Sequence, residues 1–280
     1  MSVLAMRKFT ELASAVGRVH WLLVLLGTAC RTEEPPRDVK KPAPVPPVVV
    51  GKALPVERIA IVGASVSAGF GGMPFGEAFE QAAPRSQIEA AANVLLFQDP
   101  IAESRVQIDR AIAFRATAVV ALDFLFWDLY GSTEPAWRDR AIAAGLAELE
   151  RARASGAWIL VGDIPHVTTA AEFMLPKSNV PDAATLAGYN AKIVAWSKRE
   201  RVLYVPFAAW AEPLAKGGDI ELAPGEKVPA HTLVAPDGLH ANALGVWALL
   251  DRLDKLIESE LPGTPKSALV FVRPATRPAE

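Results

Sequence analysis

Two short stretches of this chain carry residue types that can act on a substrate together. The first is Ile59 to Gly72, read IAIVGASVSAGFGG. Ser65 stands there among Gly63, Ala64, Ala68 and Gly69, small residues that let the backbone turn sharply and leave a hydroxyl uncovered. The second is Pro236-Asp237-Gly238-Leu239-His240, which sets a carboxylate three residues before an imidazole. On a turn, or the first turn of a helix, that spacing brings both side chains to one side. A serine hydroxyl is a weak nucleophile until a base takes its proton. An imidazole serves best when a carboxylate on its other nitrogen holds one tautomer and stabilises the imidazolium. The chemistry these types suggest is acyl transfer through a serine. Each stretch also has a plain structural reading: Ser65 as a helix cap, and Asp-Gly as a common turn pair with His240 at the surface.

The elements that must position these groups follow from the apolar pattern. Ile59 to Val62 is a short run suited to a strand buried on both faces, and Gly63 ends it. Ser65 then falls where a strand hands over to a helix, whose free N–H groups can hold negative charge on a substrate oxygen. Further strands are expected within Gln87 to Phe97, at Ala116 to Leu122, at Trp158 to Val161 and at Val202 to Val205. Helices are expected around Glu77 to Ala83, from Pro100 to about Phe114, from the Ser132-Thr133-Glu134-Pro135 start to about Ala154, from Ala183 to about Glu200, and from Ala241 to Leu261. Apolar runs alternating with amphipathic stretches are the signature of a parallel sheet covered by helices, an α/β fold.

Together the two stretches resemble the GDSL or SGNH hydrolase family. Its first block, GDS with a small-residue turn, is matched by Gly63-Ala64-Ser65-Val66-Ser67-Ala68-Gly69, with Ala64 where Asp is usual. Its last block, DxxH, is matched by Asp237-Gly238-Leu239-His240, with Asn242 and Gly245 following. The resemblance implies Ser65 as nucleophile, His240 as base and Asp237 as its partner. It also implies a flavodoxin-like, three-layer α/β/α sandwich with a mostly parallel five-stranded sheet. The middle of the pattern departs: the second-strand region reads NVLLFQDP without a Gly, and with Asp123 at the Gly of the GxND block, Leu125 stands at the Asn. Leucine cannot donate a hydrogen bond. The loss of one oxyanion donor costs about 2.7–4 kcal/mol of transition-state stabilisation. The remaining candidates are the Ser65 amide, Asn93 and a glycine amide from Gly69 to Gly72.

Other residues fall at expected carboxyl ends of strands, where open α/β sheets bind ligands. Asp123 and Asn93 are candidate substrate-binding residues, as is His166, which has Asp163 three residues upstream and competes with His240. Phe70, Met73 and Phe75 are either pocket lining or core. Asp123 and Asp128 raise a second idea, paired carboxylates for glycoside cleavage. Thr168 to Asp182 is a long connection of lid-like length. A Gly/Pro-bearing loop, including an exposed His231, is expected between Glu212 and Pro236.

The chain has 280 residues, 51% hydrophobic and 21% charged, enough for one substantial core plus extensions. A net charge of -2 without a long basic run gives no reason to expect nucleic acid. A single cysteine excludes an internal disulfide and a multi-thiolate zinc site. Neither metal nor organic cofactor is expected. Residues 1–29 read as an export signal: Arg7, Lys8 and Arg18 precede the apolar run Trp21 to Leu26. The ending LLGTAC resembles a bacterial lipoprotein box that would place a lipid on Cys30, although Gly27 stands where Leu is usual. A cleaved secretory form and an uncleaved anchor stay open as alternatives. Residues 30–50 read as a proline-rich spacer, 51–262 as the hydrolase-like domain and 263–280 as a C-terminal tail with mobile ends, whose apolar burst Ala268 to Val272 can pack as an edge element. The expected function is an exported esterase of the cell envelope or secreted, acting on a small-molecule, acylated carbohydrate or lipid ester. The alternative is a catalytically weak envelope protein that keeps the fold and binds carbohydrate.

Overall fold

Five short apolar runs become the strands β1 (Arg58–Ile61), β2 (Gln87–Ala90), β3 (Ala118–Ala121), β4 (Trp158–Gly162) and β5 (Val202–Val205) of the computed structural model, which describes residues 53–274. The stretch expected as an export signal, Cys30 and the whole of the expected spacer lie outside the described residues. The strands form one sheet in the order β2-β1-β3-β4-β5, with every neighbouring pair parallel. Reversal of the strand order between β1 and β3 makes the carboxyl ends of these two strands the crevice where such sheets take ligands. Ser65 follows β1 directly.

Successive side chains of a strand point to opposite faces, and the two faces here carry separate cores. Ala60, Val62, Val119, Ala121, Ile159 and Val161 pack under α2 (Pro100–Ala113), the short α3 (Phe126–Tyr130), α4 (Pro135–Ala154) and α5 (Ala183–Ser197). Ile59, Ile61, Val120, Leu122 and Leu160 pack under α1 (Phe75–Ala82) and α7 (Ala243–Glu260). The result is the three-layer α/β/α sandwich with a five-stranded sheet. Local chemistry sets the helix starts. Asp99 accepts from the Ala102 amide at 3.1 Å with Pro100 at the first helical position, and Asp182 accepts from the Thr185 amide at 2.7 Å. Asn242 starts α7 in the same way, accepting from Gly245 at 3.0 Å.

Two expectations are corrected. No helix follows Ser65: consecutive turns run from Ala64 to Gly72 and α1 begins only at Phe75, because Gly69 and Gly71 take positive φ values of 86° and 81° and Pro74 resets the chain. The stretch expected as a long loop before Pro236 instead contains α6 (Phe207–Lys216), an antiparallel hairpin β6 (Asp219–Ala223) with β7 (Glu226–Pro229), and a 3-10 turn at Ala230–Leu233. Ile220, Leu222, Ala230, Leu233 and Ala248 give it a small core of its own against α7. His231, on that 3-10 turn, is exposed as expected. The apolar burst of the tail, Ala268 to Val272, packs on the domain without forming a strand. Leu269 is buried, Trp247 Nε1 donates to the Phe271 carbonyl at 3.2 Å, and Arg273 forms a two-pronged pair with Glu226.

Candidate active site

The loop after β1 is held by a carboxylate that reaches in from the end of β3. Asp123 accepts hydrogen bonds from the amides of Ala64 (3.1 Å), Val66 (2.9 Å) and Ser67 (3.2 Å), and from the Ser67 hydroxyl at 2.5 Å. Gln107 clamps the other side of the turn, accepting from the Gly63 amide at 2.7 Å and donating to the Gly63 carbonyl at 3.0 Å. Gly63 cannot be another residue here: a Cβ would lie 2.1 Å from Asp123 Oδ1, and its φ is 150°. The amides on both sides of Ser65 are thus given to Asp123. The Ser65 amide itself has no protein acceptor among the described residues. It is the donor this turn leaves open beside its own hydroxyl.

The second half of the site comes from the turn before α7. Asp237 Oδ1 accepts from the Leu239 and His240 amides at 2.9 and 3.0 Å, while Oδ2 lies 2.8 Å from His240 Nδ1. His240 Nε2 lies 2.8 Å from Ser65 Oγ, across 175 positions of chain. An ionised carboxylate only accepts, so Nδ1 carries the proton and Nε2 is free to take the serine's. Burial alone would raise the Asp237 pKa, but the His240 amide, its imidazole and the Leu239 amide outweigh that and hold it below the ordinary carboxylate value. The turn is braced from the β4 side: Ala171 donates to the Asp237 carbonyl at 2.8 Å and Thr169 Oγ1 to the Gly238 carbonyl at 2.7 Å. Gly238 has φ 67°, and a Cβ there would lie 2.1 Å from the Thr169 carbonyl oxygen.

His240 is buried, and the half-exposed Phe70 ring covers it at 4.5 Å between centroids. Of the other aromatic or sulfur side chains proposed as lining, Phe75 is fully buried core and Met73 packs against the same core. His166 lines a cavity with Val66 and Leu239, neighbours in sequence of Ser65 and His240. It has no carboxylate partner among the described residues. Asp163 accepts instead from Tyr204 Oη and the Ala208 amide, both at 2.6 Å, and so starts α6 rather than serving His166.

Two of the expected substrate-binding residues are corrected. The Asp123 carboxylate is spent on the serine loop. Burial raises its pKa against the pull of those four hydrogen bonds. Asn93 is engaged as a cap: its Oδ1 accepts from Leu95 N and its Nδ2 donates to Glu103, both at 2.9 Å. Leu125 is buried in the core and supplies no donor, as its type dictates. Sequence reading missed Ser67 and Gln107, whose partners lie 56 and 44 positions away and leave no local signal.

The paired-carboxylate idea fails on the same geometry. Asp128 is fully buried and neither of its oxygens has a hydrogen-bond partner among the described residues. Burial raises its pKa well above the ordinary value. The folded chain therefore keeps a proton that the unfolded chain releases near pH ~3.9, and this group's contribution to stability is lost as pH rises toward its folded pKa. Asp128→Asn is expected to gain stability relative to wild type as pH increases from 5 to 8, read as urea midpoints. A constant difference across that range would contradict it.

Comparisons with known proteins come to the fold alone. No protein-family model and no curated protein matches the sequence. Among solved structures, a catalytic serine-to-alanine mutant of Axe2, an acetylxylan esterase from Geobacillus stearothermophilus, superposes with a TM-score of 0.50 at 12% identity, over 72% of this chain and 94% of that one. A tryptophan-to-isoleucine variant of the same enzyme gives 0.50 at 13% identity, over 74% and 96%. What these two share with this chain is the α/β fold. A protein classed with the lipolytic G-D-S-L family, from Desulfitobacterium hafniense DCB-2, covers 71% of this chain and 99% of its own at 12% identity and a TM-score of 0.49. At such identities what the site does rests on its own residues. Among the described residues no cluster of three or more His, Cys, Asp or Glu side chains converges as metal ligands would.

Proposed function

We propose that this protein is an exported serine esterase that transfers an acyl group through Ser65. The observation that carries the reading is the unbroken relay from Ser65 Oγ to His240 Nε2 and from His240 Nδ1 to Asp237, each link 2.8 Å. His240 takes the Ser65 proton as Oγ attacks the ester carbonyl carbon, and the oxygen that gains charge sits against the open Ser65 amide. The imidazolium then gives its proton to the departing alcohol, leaving an acyl-enzyme. A water, deprotonated by the same imidazole, attacks that ester, and the acid departs as Ser65 recovers its proton. Asp237 stays ionised throughout and holds the ring in one tautomer. Fold-level likeness to esterases agrees with this class of reaction and leaves the ester itself open. The signal-like start and the lipoprotein-like LLGTAC stretch support placement outside the cytoplasm with a lipid on Cys30.

Leu125 in place of a donor favours a second reading, a binding protein with little turnover. A fluorophosphonate probe separates the two. Covalent labelling of the purified protein, abolished in Ser65→Ala, is the expected result. A wild-type protein that is folded and stays unlabelled would leave the binding reading standing.

A further inference from the structure

A cavity of about 110 Å³ lies beside the relay, between the loop after β4, α6 and the first turns of α7. It rests on Val66 and Leu239, and its walls are Phe207, Trp210, Ile220 and Leu249. Three of these, Phe207, Trp210 and Ile220, come from the α6 and hairpin segment. An apolar cavity of ~150 Å³ takes a benzene ring, so this one suits a short alkyl chain. Arg252 interrupts this apolar lining at one end, with His166 and Thr169 the other polar side chains on it. Arg252 stands seven residues after Gly245 on α7, about 10.5 Å further along the axis. Helical side chains lean toward the N-terminus of their helix, here the end that holds His240. The guanidinium is partly buried, no carboxylate pairs with it among the described residues, and its protein contact is a long 3.4 Å bond from Nη1 to the Trp210 carbonyl. The charge of the adjacent Asp251 reaches Arg252, but that carboxylate is bonded to Lys255 at 2.6 Å, so the guanidinium keeps free donors for a planar anion.

Building on the esterase reading, we propose that this cavity receives one arm of the ester as a short unbranched chain ending in a carboxylate, which Arg252 binds. Substrates would be short diacid monoesters, or esters of short hydroxy acids. The chemistry is the same in both, and the experiment tells them apart. One pair of esters varies the acid, p-nitrophenyl butyrate against the p-nitrophenyl monoester of glutaric acid. The other varies the alcohol, butyl acetate against the acetate ester of 4-hydroxybutanoic acid.

Wild type is expected to favour the carboxylate-ended member of one pair by about tenfold or more in kcat/KM. Arg252→Gln should erase that ratio and Arg252→Lys should retain part of it, with thermal unfolding showing both variants folded. Preference for the neutral member in both pairs, or a ratio that survives Arg252→Gln, overturns the proposal. Calorimetric binding of monomethyl glutarate and of 4-acetoxybutanoate to Ser65→Ala, weakened by about tenfold for one of them on adding Arg252→Gln, judges the cavity without turnover. If neither ligand shows that loss, the proposal is wrong even in an active esterase. A wild type that binds but cleaves no ester counts against the hydrolase reading alone.

Discussion

Asp237→Asn is expected to lower kcat for ester cleavage about 10⁴-fold while the protein stays folded. The amide oxygen can still accept from the Leu239 and His240 amides, which now bond Oδ1 at 2.9 and 3.0 Å, so the turn survives. The amide nitrogen then faces His240 Nδ1. Two N–H groups cannot share that bond, and the ring answers by moving its proton to Nε2. An Nε2–H points a donor at Ser65 Oγ, where 2.8 Å of contact requires an acceptor for the serine proton. Steady-state kinetics on any cleaved ester, with melting temperatures alongside, check this. A loss below tenfold would mean that the imidazole is not the base, whatever its distance to the serine.

Asp123→Ala is expected to unsettle both stability and reactivity although Asp123 bonds neither the Ser65 hydroxyl nor His240. The carboxylate is buried and answers three amides and a hydroxyl of one turn. Each buried donor left without an acceptor costs about 1–3 kcal/mol, so even with water reaching some of them a loss of about 3–5 kcal/mol is expected. For a domain of this size that is a fall in Tm on the order of 10 °C. The Ser65 amide and hydroxyl are aimed by the same turn, so kcat should drop with it, because small misplacements of reacting groups are expensive. Asp123→Asn keeps one good acceptor and should fall between the two. Melting temperatures within about 2 °C of wild type for Asp123→Ala would show that the turn holds itself.

The likeness to esterase folds and the geometry around Ser65 were unequally legible beforehand. Strands β3, β4 and β5 and helices α2, α4 and α5 announce themselves through apolar runs, caps and prolines, all local signals. β2 is fainter because it is an edge strand with exposed positions, and it gives way after Ala90 to the 3-10 turn that Asn93 caps. The α6 and hairpin segment hides behind its Gly and Pro content. Short strands that pack on α7 through Ile220 and Leu222 gain their stability from contacts the local pattern does not contain.

By itself, the amino-acid order determined which residues are able to react: a serine in a small-residue turn after a buried strand, and a carboxylate and imidazole spaced to bond each other. Only the tertiary structure decided which of the remaining polar residues serve that serine and how. Asp123 braces its turn, Asn93 caps a neighbouring segment, Asp163 starts α6, and Asp128 sits buried without a partner. The reason is range. An Asp three residues before a His is a local fact, whereas the amides that claim a carboxylate's lone pairs are delivered by parallel strands whose pairing brings together segments roughly 60 residues apart in sequence.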